Sequence, residues 1–401
     1  MKNILIALLW AAIAFQAAFA DKVADVLPQA RELVAEKQYL AAYQLVEKAD
    51  PKHRDLETVL FKFDLLTNYY ASRIGADMFA LRDLAEQERI EDVRGAEGTF
   101  DMFHFETEKT LKRMLEEHPG EVRIHRALGL YYYKQPGMHP DAKTDDGKSY
   151  ADAAFEHLDK AVKSGLEEDA TRFALGHLEL ARGNYAKSIP HFEKCIELNP
   201  GYAAAHFNLA SARFAVGSNR DALGSAKKAL ELYEEPDLKS DAASLAGDIL
   251  AELGEDKDAL RHYELADQIR PDAYPNIKSL LRMRLRQDAA ESDATALRLM
   301  ALDPENPTVF GDLEQVYMAT QRTGRLIRLY STQLESPQDG QSPVATGNMH
   351  FYLARLYLES EPQLARQHFN SAKNCFEKKF QADHPVFKII EAQLSEESSD
   401  P

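Results

Sequence analysis

Apolar residues recur at intervals of three and four through most of this chain, the spacing that gathers side chains on one face of a helix. Thr58 to Leu84 and Phe100 to Leu115 carry that pattern and are predicted to be helical. Breakers separate the periodic stretches. Pro304-Glu305-Asn306-Pro307 and the Pro/Gln/Gly/Ser segment from Ser336 to Pro343 read as linkers, and the polar tail from Ser395 to Pro401 reads as disordered.

Aligning the chain with itself at a shift of 34 residues brings up three columns. Ala154, Ser188 and Ala222 form the first, Leu158, Phe192 and Ala226 the second, Ala161, Cys195 and Ala229 the third. After three inserted residues the columns resume at Ala259, Tyr263 and Ala266. Upstream, Leu175-Gly176, Leu209-Ala210 and Ala246-Gly247 occupy a further matched position, each followed by a turn glycine, Gly183, Gly217 or Gly254. Pro200 and Pro271 close their units. Small residues at fixed points let two helix axes approach, and the larger residue one turn along fills the space beside the contact.

These residues resemble the tetratricopeptide repeat, in which Leu-Gly, a small residue, a large one, another small residue and a terminal Pro recur. The resemblance implies an all-α, right-handed superhelical solenoid of antiparallel helix pairs, with irregular helical N- and C-terminal regions. It is strongest over 119–273, read as four units, the first opening at Leu128-Gly129 and carrying an inserted loop over 134–149. Ala42-x3-Val46-x2-Ala49 marks a divergent unit within 21–118. Leu353-Ala354 with Ala365-x3-Phe369-x2-Ala372 marks another within 274–394, ahead of the tail at 395–401.

The first twenty residues differ from the rest. Lys2 supplies a positive start, Ile4 to Phe15 form an apolar run, and Ala18-Phe19-Ala20 has the small-x-small pattern of a signal-peptide junction. The expectation is a leader over 1–20, cleavage at Ala20/Asp21, and a mature chain exported to a bacterial periplasm or secreted, with no transmembrane segment of its own. Its formal net charge of -17 would barely change on cleavage, which removes only Lys2. Such an acidic surface repels nucleic acid. Only Cys195 and Cys375 are present, far apart in a linear array, so no disulfide is expected.

In a stacked array the first helix of each unit lines the concave side. Helical spacing places Arg126, Leu130 and Tyr133 on one stripe, Phe173, His177 and Leu180 on the next, and Phe207, Ser211 and Phe214 on the third. These stripes would form an aromatic-lined groove for an extended peptide or a partner helix, unless the aromatics are inter-helix core. Asn208 stands where peptide-binding members of the family carry an Asn that bonds ligand backbone. The basic clamp of members that grip a terminal carboxylate is absent, its stripes holding Phe173 and His177, then Asp241, Ser244 and Asp248.

Other motifs have plainer readings. His139-Pro140-Asp141 is the tripeptide of J-domains but falls within the inserted loop. Asp141, Asp145, Asp146 and Gly147 lack the alternate-ligand spacing of a calcium loop. His191 and Cys195 share a face, with no third ligand to complete a metal site. Lys278, Arg282, Arg284 and Arg286 read as a solvated face, or as a dock for an acidic partner. No phosphate loop, G-x-S-x-G elbow or H-E-x-x-H motif occurs, so neither a cofactor nor catalysis is expected. The function expected is that of a protein-binding scaffold, adaptor or holding chaperone of the envelope. The alternatives are a structural subunit of a larger complex and an enzyme with a non-local active site.

Overall fold

A computed structural model describes residues 23–75, 77–95, 100–135, 143–144, 147–335 and 342–396. The leader, the cleavage junction, the His139-Pro140-Asp141 tripeptide, the loop aspartates and most of the 336–343 linker and of the tail lie outside them. The described residues form two compact units, one ending at Pro200 and the other beginning at Gly201. None of their helices is long and apolar enough to cross a membrane.

The first unit contains α1 (23–35), α2 (Tyr39–Ala49), α3 (Leu56–Asn68), β1 (Tyr70–Ile74), β2 (Met78–Leu81), α4 (Ile90–Val93), β3 (Met102–His104), α5 (Thr107–Glu117), α6 (Val122–Tyr133), α7 (Tyr150–Lys163), α8 (Asp169–Ala181) and α9 (Tyr185–Leu198). The second contains α10 (Ala203–Ala215), α11 (Asn219–Leu232), α12 (Pro236–Glu252), α13 (Asp256–Ile269), α14 (Tyr274–Arg286), α15 (Ser292–Leu302), α16 (Pro307–Ala319), α17 (Thr323–Glu335), α18 (Pro343–Tyr357), α19 (Pro362–Phe376) and α20 (Pro385–Glu396). The protein is all-α in class, built from antiparallel helix pairs.

The sequence columns are the buried seams of those pairs. Ala154, Ser188, Ala222 and Ala259 are fully buried, as are Leu158, Phe192, Ala226 and Tyr263, and Ala161, Cys195, Ala229 and Ala266. Opposite each large column residue stands a glycine. A Cβ added to Gly176 would lie 2.8 Å from the Phe192 ring, one on Gly247 2.8 Å from the Tyr263 ring, and one on Gly129 2.6 Å from Leu158. In the α10/α11 pair the exchange is complementary: Ala210 replaces the glycine and Ala226 the ring, both with no exposed surface. Burying a ring the size of Phe192 contributes about 1.5–3 kcal/mol, provided the facing backbone leaves room for it.

The turn within each pair has one geometry. Gly183, Gly217 and Gly254 all have φ between +75° and +81°. The amide three residues past each helix reaches back five residues, as Asn184 N–H does to Glu179 O at 2.9 Å, closing the helix end with a left-handed residue. Lys37, Asp288 and Gln321 also take positive φ, between +53° and +60°, with the same return bonds, so α1/α2, α14/α15 and α16/α17 are equivalent pairs. In α15 the columns fall on Ser292, Ala296 and Leu299, all fully buried. The interval after 273, expected to be helical with a divergent unit at Leu353-Ala354 and Ala365 to Ala372, thus contains two further pairs ahead of that unit.

The helical reading of Thr58 to Leu84 and Phe100 to Leu115 needs correction. Helix α3 stops at Asn68, and α5 starts only at Thr107. Between them β1, β2 and β3 form an antiparallel sheet in the order β1-β2-β3, with Arg73 opposite Phe79 and Phe79 opposite Phe103. Gly75 turns the hairpin at φ +64°, which no helix continues through. Residues Phe79, Ala80 and Leu81 are then all buried against the first unit's core, a continuous apolar run that helical and strand patterns share.

In the same unit Lys62 of α3 has no exposed side-chain surface, and its ammonium donates to Glu47 at 2.6 Å and to the Asp50 carbonyl at 2.8 Å. This fastens α3 to the end of α2. The Glu47 carboxyl is held down to about 2, chiefly by its bonds with His53 and Lys62.

Two glycine substitutions should act in opposite directions. Gly176→Ala forces the Phe192 ring to move and should cost about 1–3 kcal/mol. Gly224, exposed within α11, would carry a Cβ with nothing inside 4 Å, so Gly224→Ala should stabilise by about 0.5–1 kcal/mol. Urea midpoints that shifted the same way for both variants would refute this assignment of the seam.

Candidate partner-binding site

Of the residues predicted to line the groove, those of the first unit lie on α6 and α8. Arg126 is committed to the fold: its guanidinium donates to Asp64 of α3 at 2.8 Å and to Glu168 ahead of α8, with its side chain 16% exposed. Leu130 is buried in the core. Tyr133 meets the edge of the His177 ring at 5.7 Å, and Phe173 stacks on His177 at 6.1 Å while also touching Phe192 at 5.9 Å. Tyr133, Phe173 and His177 therefore form one half-buried aromatic group. Burial lifts the Tyr133 hydroxyl to about 12 and pushes the His177 ring below its usual value, so both are neutral near pH 7.

A cluster that the sequence does not announce lies beside Arg126. Lys134 Nζ donates to the Thr67 carbonyl at 3.3 Å, and Arg94 donates to the Asn68 and Tyr70 carbonyls. These carbonyls lie at or just beyond the C-terminal end of α3, where cations are favoured. The Lys134 ammonium is pushed down to about 8, first by desolvation and then by Arg94, Arg73 and Arg126. Residues so distant in the chain give no local signal, and their work is to close a helix end.

In the second unit the predicted residues lie on α10. Phe207 is half-buried against the cluster of Ala229, Tyr233 and Ala242, its ring 6.3 Å from that of Tyr233. Phe214 packs against the seam made by Ala210, Ala222 and Ala226. Ser211 donates to the Phe207 carbonyl one turn back at 3.1 Å. Asn208 is partly exposed, and its amide has no hydrogen-bond partner among the described residues. The two phenylalanines thus serve mainly in packing, while Asn208 presents both a donor and an acceptor at the surface.

The acidic residues in place of a clamp are engaged. Asp241 pairs with Arg270 at 3.2 Å, and Asp248 with Arg282 at 3.0 Å while accepting from the Tyr263 hydroxyl at 2.6 Å. The basic run of α14 is partly solvated and is closed into ion pairs within the fold rather than left as an open dock. Lys278 pairs with Asp312, Arg282 with Asp248, Arg284 with Glu264 and Arg286 with Asp256, which ties α14 to α12, α13 and α16. Cys195 and Cys375 are free thiols, and burial raises the Cys195 thiol to about 12. His191 lies 3.3 Å from Arg172 rather than on a ligand set. Among the described residues no group of three or more His, Cys, Asp or Glu side chains is placed to hold a metal ion.

The tetratricopeptide-repeat family model matches residues 173–233 and 208–274. None of the curated proteins matches the sequence. Among solved structures, the crystal structure of MamA is similar at 21% identity, over 37% of this chain and 84% of that one, with a TM-score of 0.34. YrrB, described as a tetratricopeptide-repeat protein with an unusual peptide-binding site, is similar at 15% identity over 61% of this chain and all of its own, with a TM-score of 0.35.

Arg126→Met should lower stability by about 1–2 kcal/mol, since it strands Asp64 and Glu168, both of which are partly solvated. Thermal melts should show this loss. Partner capture measured below the lowered melting range should be unchanged, and a selective loss of capture would return Arg126 to the binding site.

Proposed function

We propose that this chain, whose residues 173–274 are tetratricopeptide repeats, is a protein-interaction scaffold, adaptor or holding chaperone that takes a peptide segment or partner helix on its first helices. The observation that carries the reading is Asn208. It lies on the first helix of a matched pair, with an uncommitted amide beside a half-buried aromatic floor, and an amide there can satisfy the backbone of an extended ligand. The flanking charges are closed into ion pairs within the chain. Recognition then rests on apolar contact and amide bonds more than on charge, and this is chemistry of binding rather than catalysis.

Export belongs to the same proposal. The apolar run with its Ala18-Phe19-Ala20 junction supports a leader removed before Asp21 and an envelope location for the mature chain. Intact-mass measurement of the protein recovered from its native host should give a chain beginning at Asp21. A retained N-terminus would replace the free scaffold with an anchored one.

A photo-cross-linker placed at Ser211 should trap a discrete partner in the native host. Asn208→Ala should reduce capture of that partner severalfold, in line with one lost amide bond, and leave the thermal midpoint in place. Undiminished capture by the folded variant would remove α10 from the site.

A further inference from the structure

Two histidine pairs occupy the same rung of two helix pairs, one in each compact unit. His125 of α6 faces His157 of α7 with their Nδ1 atoms 2.8 Å apart, and His350 of α18 faces His368 of α19 at 2.9 Å. In both pairs the first histidine precedes the close-approach residue, Gly129 or Ala354, by four positions. The second directly precedes the large seam residue, Leu158 or Phe369. At the corresponding rung of α8/α9, Arg172 and His191 make a 3.3 Å contact instead.

A contact of this length between two ring nitrogens requires one N–H and one lone pair, so only one of the two Nδ1 atoms in each pair carries hydrogen. His125 Nε2 is buried with no partner. The favoured arrangement therefore leaves that nitrogen bare: His125 donates from Nδ1, and His157 carries its own proton on Nε2. A first added proton enters on His125 Nε2 and leaves the N–H···N bond between an imidazolium and an imidazole. A second puts hydrogen on both Nδ1 atoms and sets two cations face to face, which that bond does not survive.

We propose that the two pairs are acid-released latches, which tie α6 to α7 and α18 to α19 at neutral pH and free those helix pairs on acidification. The surroundings work in that direction. Desolvation first, and the partner ring second, push His157 and His350 down to about 4. His125 and His368 are lowered by burial as well.

Among the described residues, the first pair faces Glu156, which favours protonation, and Lys148 and Lys160, which oppose it. Tyr132 lies 5.9 Å from His157 and donates its hydroxyl to Glu108 of α5. Around the second pair Tyr357 stacks on His368 at 5.8 Å. Of the charges on α18 and α19, Arg355 pairs with Glu314, Lys373 pairs with Glu391, and Arg366 is exposed. Because the folded rings titrate below the free value near 6.5, their contribution is complete above that pH and is lost progressively as pH falls toward 4.

Hydrogen exchange of the full chain, corrected for intrinsic rates, tests the latches. Between pH 7.5 and pH 5, amides of α6/α7 and α18/α19 should lose about 30-fold in protection, the factor for a ring held near 4 against a free value near 6.5. Amides of α10 to α13 should lose much less. In the His350→Gln/His368→Gln variant, where a neutral amide pair replaces the rings, the loss should vanish from α18/α19 and persist in α6/α7. Equal loss in that variant, or none in the unaltered chain, overturns the proposal. Should the variant not fold, nitrogen-15 histidine titration of the unaltered chain decides: four rings titrating near 6.5 without loss of protection would likewise overturn it.

Discussion

Everything in this architecture rests on how closely two helix backbones approach at one point of each pair. A Cβ would come within 2.8 Å of a ring carbon, at Gly176 against Phe192 and at Gly247 against Tyr263. The large residue is buried there because its neighbour has no side chain, and the neighbour must be glycine because the ring is large. Alanine facing alanine, at Ala210 and Ala226, solves the same spacing with the volume shared equally. The left-handed turn in the matched pairs then returns the chain in antiparallel register, so one local rule generates successive pairs.

The seams were legible because they repeat small residues at fixed intervals, and twelve column positions from Ala154 to Ala266 are all buried as read. What escaped notice obeyed the same geometry with other residues. Asp288 and Gln321 take the left-handed turn without being glycine, and Leu326 is buried at the seam position that is small in the matched pairs. The sheet escaped for a different reason. Its apolar run from Phe79 to Leu81 is buried on both faces and carries no alternation, so only Gly75 separated strand from helix.

The candidate site was legible as a stripe but not as a surface. Periodicity places Arg126, Leu130 and Tyr133 on one face and cannot say that Asp64 and Glu168 hold the first while the core takes the second. Ion pairing across tens of residues is a property of the folded chain, as the four basic residues of α14 also show. Asn208 remains available because its neighbours on α10 have already found partners.

The reciprocity of glycine and ring also bears on how such an array lengthens or shortens over generations. Gene duplication or deletion with breakpoints between helix pairs transfers each glycine together with its own ring. A crossover inside a pair would set Ala210 against a ring such as Phe192, or Gly176 against the small Ala226, giving a clash in one product and a void in the other. Heritable changes in repeat number should therefore leave their scars in the segments that follow Pro200 and Pro271 rather than in the glycine turns at 183, 217 and 254.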